Sequence, residues 1–188
     1  MPLSIESVRR LGSSRFNYWF GYVANASLVL WLTSHGVWGD TAVGPLGLVG
    51  YSIVGLLTWT FLEYVLHRYV YHEVPSFLSV GHGLHHDAPK ELIGVPWYLT
   101  TAAVVAIYSA VTQVFSPGAT GLVMGFAWLG YMGYCLLHHG SHHWRFEQPY
   151  FRAMKRHHLL HHAFPEFNWG FTTSLWDRAF GTYKAPRS

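Results

Sequence analysis

From Leu92 to Trp144 this chain runs without a single Asp, Glu, Lys or Arg, and two shorter uncharged stretches, Phe16–Gly39 and Thr41–Leu62, precede it. A bilayer core about 30 Å thick takes about 20 apolar residues of helix, so each stretch is long enough to span it. The longest holds Ser116-Pro117-Gly118-Ala119-Thr120 near its middle, a turn-forming group that divides it in two. The reading is four transmembrane helices, near residues 17–34, 44–64, 95–115 and 121–137. Composition agrees: 51% of the 188 residues are hydrophobic and 11% charged, against roughly 25% charged in a soluble domain. Ala24-Asn25-Ala26 resembles a signal-peptide cleavage site, but the apolar run continues through Leu28 to Leu32, so the first span is expected to be retained.

Basic residues favour the cytoplasmic side of short flanking segments. With four spans, Arg9, Arg10, Arg15, Arg68, Lys90, Arg145, Arg152, Lys155, Arg156, Arg178, Lys184 and Arg187 all fall on one side. Both termini and two polar segments, 65–94 and 138–188, are therefore expected in the cytoplasm, and an anionic leaflet accounts for the basic patch without nucleic acid. The fold class expected is an all-α polytopic membrane protein, one domain over 1–188, with those two segments forming a histidine-rich helical cap. One cysteine, Cys135, excludes a disulfide framework or a thiolate-ligated cluster within the chain.

Of fourteen histidines, thirteen lie between His67 and His162, in four clusters at or beyond the cytoplasmic ends of the spans. His67 and His72 are five apart, which on an α-helix separates them by about 140°, so they are expected to flank a site from different angles. His82, His85 and His86 share one side of a helix, as do His158, His161 and His162, and each trio is expected to converge. In the third cluster two pairs interleave, His138 with His142 and His139 with His143, and only one can face inward. Imidazole binds a metal in its neutral form, which explains how so many histidines avoid a charge of fourteen protons. Ten inward ligands exceed one coordination sphere, so the site reads as dinuclear. His139, His143 and His157 are taken as non-ligands, His35 as an interfacial polar group, and Glu63, Glu73 and Asp87 as acceptors that orient imidazole N–H groups. Neither the Glu-x-x-His pattern of soluble di-iron bundles nor the H-E-x-x-H helix of zinc hydrolases occurs.

These four ordered boxes resemble the membrane-bound di-iron fatty acid hydroxylase superfamily, which includes fatty acid 2-hydroxylases, sterol desaturases and carotenoid hydroxylases. The motifs H-x4-H, H-x2-HH, H-x3-H and H-x2-HH are met by His67 and His72; His82, His85 and His86; His138 and His142; and His158, His161 and His162. Glu63-Tyr64, Gly83–Pro89 and the tail Trp169–Thr182 look most like the 2-hydroxylases. The resemblance implies that those ten histidines bind two iron ions, replaceable by zinc on purification, and that O2 is co-substrate. It further implies hydroxylation of a long-chain lipid drawn from the bilayer, at the 2-position of a free or sphingolipid-bound acyl chain. It implies no catalytic side chain beyond the ligands. Electrons would come from a separate ferredoxin or cytochrome b5-like protein, since no dinucleotide loop is present. The alternatives within the superfamily are a sterol desaturase or oxidase and a carotenoid ring hydroxylase; outside it, a non-enzymatic metal- or haem-binding membrane protein.

Overall fold

The computed structural model describes residues 5–39 and 43–186, and every regular element among them is helical: α1 (Ile5–Gly12), α2 (Arg15–Trp38), α3 (Pro45–Val65), a π-helical segment (Leu66–Glu73), α4 (Phe77–Asp87), α5 (Trp97–Val111), α6 (Pro117–His143), α7 (Pro149–Ala163) and α8 (Leu175–Ala179). Arg187, the last basic residue of the orientation argument, and the end of the expected cap lie outside the described residues.

Local chemistry sets the helix boundaries. Ser14 starts α2, its hydroxyl accepting from the Asn17 amide at 3.3 Å. A reciprocal pair starts α4: the Ser79 amide donates to Ser76 Oγ at 3.1 Å, and the Ser76 amide to Ser79 Oγ at 2.8 Å. Pro149 occupies the first turn of α7, where a missing N–H costs nothing. The expected turn at 116–120 resolves differently, because Pro117 is also suited to a first helical position. Thus α6 begins there rather than at 121, and runs on to His143.

Each expected span coincides with a helix, α2, α3, α5 or α6. Two are long and apolar enough to cross a membrane by length and composition: α3 with its π-helical continuation, Pro45–Glu73, and α6. Apolar α5 has 15 residues, about 22 Å of helix, and is shorter than expected. Only 11% of the apolar stretch of α3 and 28% of that of α6 is buried; α3 exposes Leu46, Val49, Ile53, Val54, Leu56 and Leu57, whereas α6 is mostly half-buried.

The chain divides into two compact units. One comprises Arg10–Trp59 and Gly94–Met132. Its core is Leu28, Leu32, Val104 and Tyr108, with Trp31, Met124 and Trp128 packed against it. Two polar clamps cross it: Asn17 Oδ1 accepts from the Trp97 amide, and Asn25 Oδ1 from the Trp128 indole, both at 3.0 Å. Here α2 and α6 approach closely. A Cβ on Gly121 would stand 2.6 Å from the Leu32 carbonyl oxygen, and one on Gly125 2.6 Å from Thr33 Cγ2. The other unit comprises Met1–Arg9, Thr60–Ile93 and Gly133–Ser188. It contains all four histidine clusters.

Gly121→Val forces a side chain against backbone and is expected to cost about 1–3 kcal/mol. It should lower the thermal unfolding midpoint of the detergent-solubilised protein, whereas Gly50→Ala, with nothing within 4 Å of the added methyl, should not.

Candidate metal centre

His67 and His72 do not flank the centre from different angles. The segment that carries them is a π-helix, closed at i→i+5 as in the 2.9 Å bond from the Val74 amide to the Tyr69 carbonyl, and this winding stacks residues five apart on one face. Their ring centroids are 5.3 Å apart.

The trios also behave differently from expectation. His82 and His86, four apart on α4, join His67, His72 and His161, while His85, on the flank between them, joins His138, His142, His158 and His162. On α7 the pattern is exchanged: His158 and His162 go with the second group, and His161 with the first. Offsets of four stay on one face, but the middle histidine lies about a quarter-turn away, so each helix serves two positions. The ten histidines picked out by the boxes thus form two groups of five. Within each, one ring nitrogen per residue lies within 4.8 Å of all the others. The third cluster turns inward through His138 and His142. His139 and His143 stack on each other outside both groups, and His157 and His35 also lie outside.

Ring-nitrogen geometry indicates what the groups could hold. His82 Nε2 lies 3.1, 2.9 and 3.0 Å from the Nε2 atoms of His67, His72 and His86. In the second group, His85 Nε2 is 3.1 and 2.9 Å from those of His162 and His138, and His158 Nε2 is 2.8 and 3.0 Å from those of His142 and His162. A single N–H can satisfy one such contact, not three. Nitrogens about 2.0–2.1 Å from a common ion, at angles near 90°, stand about 2.9 Å apart. The donor set therefore fits one transition-metal ion per group.

The expected carboxylate acceptors are replaced by backbone. His67 Nδ1–H donates to the Trp169 carbonyl at 2.6 Å and His161 Nδ1–H to the Phe167 carbonyl at 2.8 Å. Glu63, buried, instead secures the C-terminal segment, accepting from the Phe171 amide and from the Thr172 amide at 2.7 Å. Glu73 and Asp87 are exposed. Two residues that sequence reasoning passed over complete the support. Fully buried Asp177 accepts from the Trp169 amide at 2.8 Å, the Gly170 amide at 2.9 Å, Thr182 Oγ1 at 2.8 Å and His157 Nε2 at 3.1 Å. Asn168 sits at φ 60°, in the left-handed region that asparagine tolerates, and its side chain pairs with the backbone of Lys184. The segment so pinned lays Trp169 against His72 and His161, and Phe171 against His158 at 4.3 Å.

Burial, reinforced by neighbouring imidazoles, holds His82, His85 and His158 well below the ordinary histidine range. Burial also lowers His86 and pushes His161 and His162 down to about 3. The folded chain therefore keeps these rings neutral, as ligands must be. Unfolded histidine titrates near 6.5, so the unfolded chain takes up more protons below that pH and stability falls as pH drops toward 3. Chelator-stripped protein should show a flat thermal midpoint above about pH 7 and a progressive fall below about pH 6.5.

A family model described as fatty acid hydroxylase matches residues 52–182. The dihydroceramide fatty acyl 2-hydroxylase FAH2 of Arabidopsis thaliana is 33% identical over 68% of this chain, and FAH1 of the same plant 30% identical over 90% of it. The chain spans 58% of FAH2 and 76% of FAH1. A solved structure described as full-length scs7p, with only its hydroxylase domain visible, superposes with a TM-score of 0.78 at 25% identity, covering 95% of this chain and 69% of that one. With the family match running through all four histidine boxes, the chain belongs to the fatty acid hydroxylase family.

Proposed function

We propose that this protein is a membrane-embedded, O2-dependent di-iron hydroxylase that places a hydroxyl group on the 2-position of a fatty acyl chain carried by a sphingolipid. The observation that carries this reading is the pair of five-histidine groups, each with ring nitrogens spaced for one ion. The names of the Arabidopsis relatives supply the substrate class and the position. Zinc fits the same nitrogens but has no redox chemistry, whereas hydroxylating an unactivated C–H bond requires it. The bound iron pair supplies oxygen activation, for which no side chain here has the chemistry.

The chain supplies ligand geometry and shelter. His67, His72, His82, His86 and His161 would hold one ion, and His85, His138, His142, His158 and His162 the other. The carbonyls of Trp169 and Phe167 fix the Nδ1–H tautomer of two ligands, leaving each Nε2 lone pair free for metal. Trp169 and Phe171, both buried, lie against His72, His161 and His158 and cover that side of the rings. The helices α2, α3, α5 and α6 all cross the bilayer in one domain, with both termini and the histidine-bearing segments in the cytoplasm, as the distribution of Lys and Arg supports. An external ferredoxin or cytochrome b5-like protein delivers electrons at that basic face.

Lipids of cells with and without the gene, compared by mass spectrometry, should differ by one added oxygen atom in a sphingolipid acyl chain. The product should vanish with His85→Ala or His161→Ala, one from each group. Full product from both variants would remove the metal centre from the reaction. An added oxygen on a sterol or carotenoid would move the chemistry to another substrate.

A further inference from the structure

The ten histidines divide evenly between the two positions, but the support around them does not. Among the described residues, the ring N–H groups that reach a backbone acceptor from within the ten are those of His67 and His161, and both belong to the same group. A carbonyl only accepts, so both Nδ1 atoms carry the proton and both Nε2 atoms present a lone pair before any ion arrives. The two acceptors, Phe167 and Trp169, are two residues apart in a segment with little freedom. Asn168 between them is 1% exposed; its amide donates to the Thr182 carbonyl at 3.0 Å and its side chain brackets Lys184. The next two amides, of Trp169 and Gly170, end on the Asp177 carboxylate. The rings of the second group are set by packing instead, with Phe171 against His158 at 4.3 Å and Tyr134 beside His138 at 5.7 Å. Packing restrains a ring plane but does not select which nitrogen holds the proton.

We propose that the two metal positions are unequal: the one formed by His67, His72, His82, His86 and His161 fills first and holds its ion more tightly, and Asp177 is the positioning residue that makes it so. This rests on the metal reading above. Removing a hydrogen-bonding partner that orients a ligand typically weakens metal binding about 10–100-fold, so the loop's contribution should appear as a separation of that order between two binding steps.

The test uses the full chain in detergent, stripped with a chelator and titrated with Co(II) without air, followed by visible absorption and metal analysis. Two ions should bind in two resolved steps. His161→Ala should remove the tight step and His85→Ala the weak one, which assigns the positions. Asp177→Asn should weaken the tight step about 10–100-fold and the other by less, since the loop reaches the second group only through the packing of Phe171 on His158. Gly170→Ala gives a second route should that variant fail to fold. Its Cβ would meet the Thr173 carbonyl oxygen at 2.5 Å and Asp177 Oδ2 at 3.1 Å, displacing the same loop with every charge retained, and it should act in the same direction. Two equal steps, a tight step that survives His161→Ala, or equal weakening of both steps by the loop variants would overturn the inequality while the metal reading stands. A chain that takes up no Co(II) would overturn both.

Discussion

A nitrogen lone pair aimed at a point it shares with four others has no adequate partner in a protein interior except a cation. Around that constraint much of the histidine-bearing unit is arranged. Neutral rings must be brought close, although each would prefer water, and held with the same nitrogen inward. The helices meet the first need and the C-terminal segment the second. His82 states the problem in one residue: three imidazole nitrogens lie about its Nε2 within hydrogen-bonding distance, and it has at most one proton to share. Burial disfavours charging the rings, so protonation offers no release.

Much of this was legible in the sequence because the α-helical period is fixed. The uncharged stretches predict four membrane spans; a helix stands at each, and two, α3 with its π-helical continuation and α6, are long and apolar enough to cross a bilayer. The spacing of His138 and His142, and of His158 and His162, put each pair on one face whatever the tertiary structure. The π-helical winding at Leu66–Glu73 was not legible, since a periodic reading assumes an α-helix and nothing in Leu66-His67-Arg68-Tyr69-Val70-Tyr71-His72 announces a wider turn. From spacing alone the trios at 82–86 and 158–162 read as converging units. A quarter-turn is too small to decide one ion or two without a second helix in view.

The roles of Asp177 and Asn168 were hidden for another reason. Their partners are backbone amides and carbonyls in a non-repetitive segment, and such groups carry no residue-type signature. The tail Trp169–Thr182 stands out by its resemblance to the 2-hydroxylases, yet the acceptors expected from sequence, Glu63, Glu73 and Asp87, are those within four residues of a box histidine. Glu63 proves important in a different capacity, as the tether for Phe171 and Thr172.

The crossed allocation of the middle histidines has a mechanical meaning. Because α4 and α7 each contribute to both positions, the two groups cannot slide past one another like separate modules on a hinge. Their separation is set by the rise and winding of two rigid rods, fixed at the moment each rod forms. A tilt of either rod disturbs both groups of rings together, which makes the pair a single gauge block whose length is written in peptide geometry.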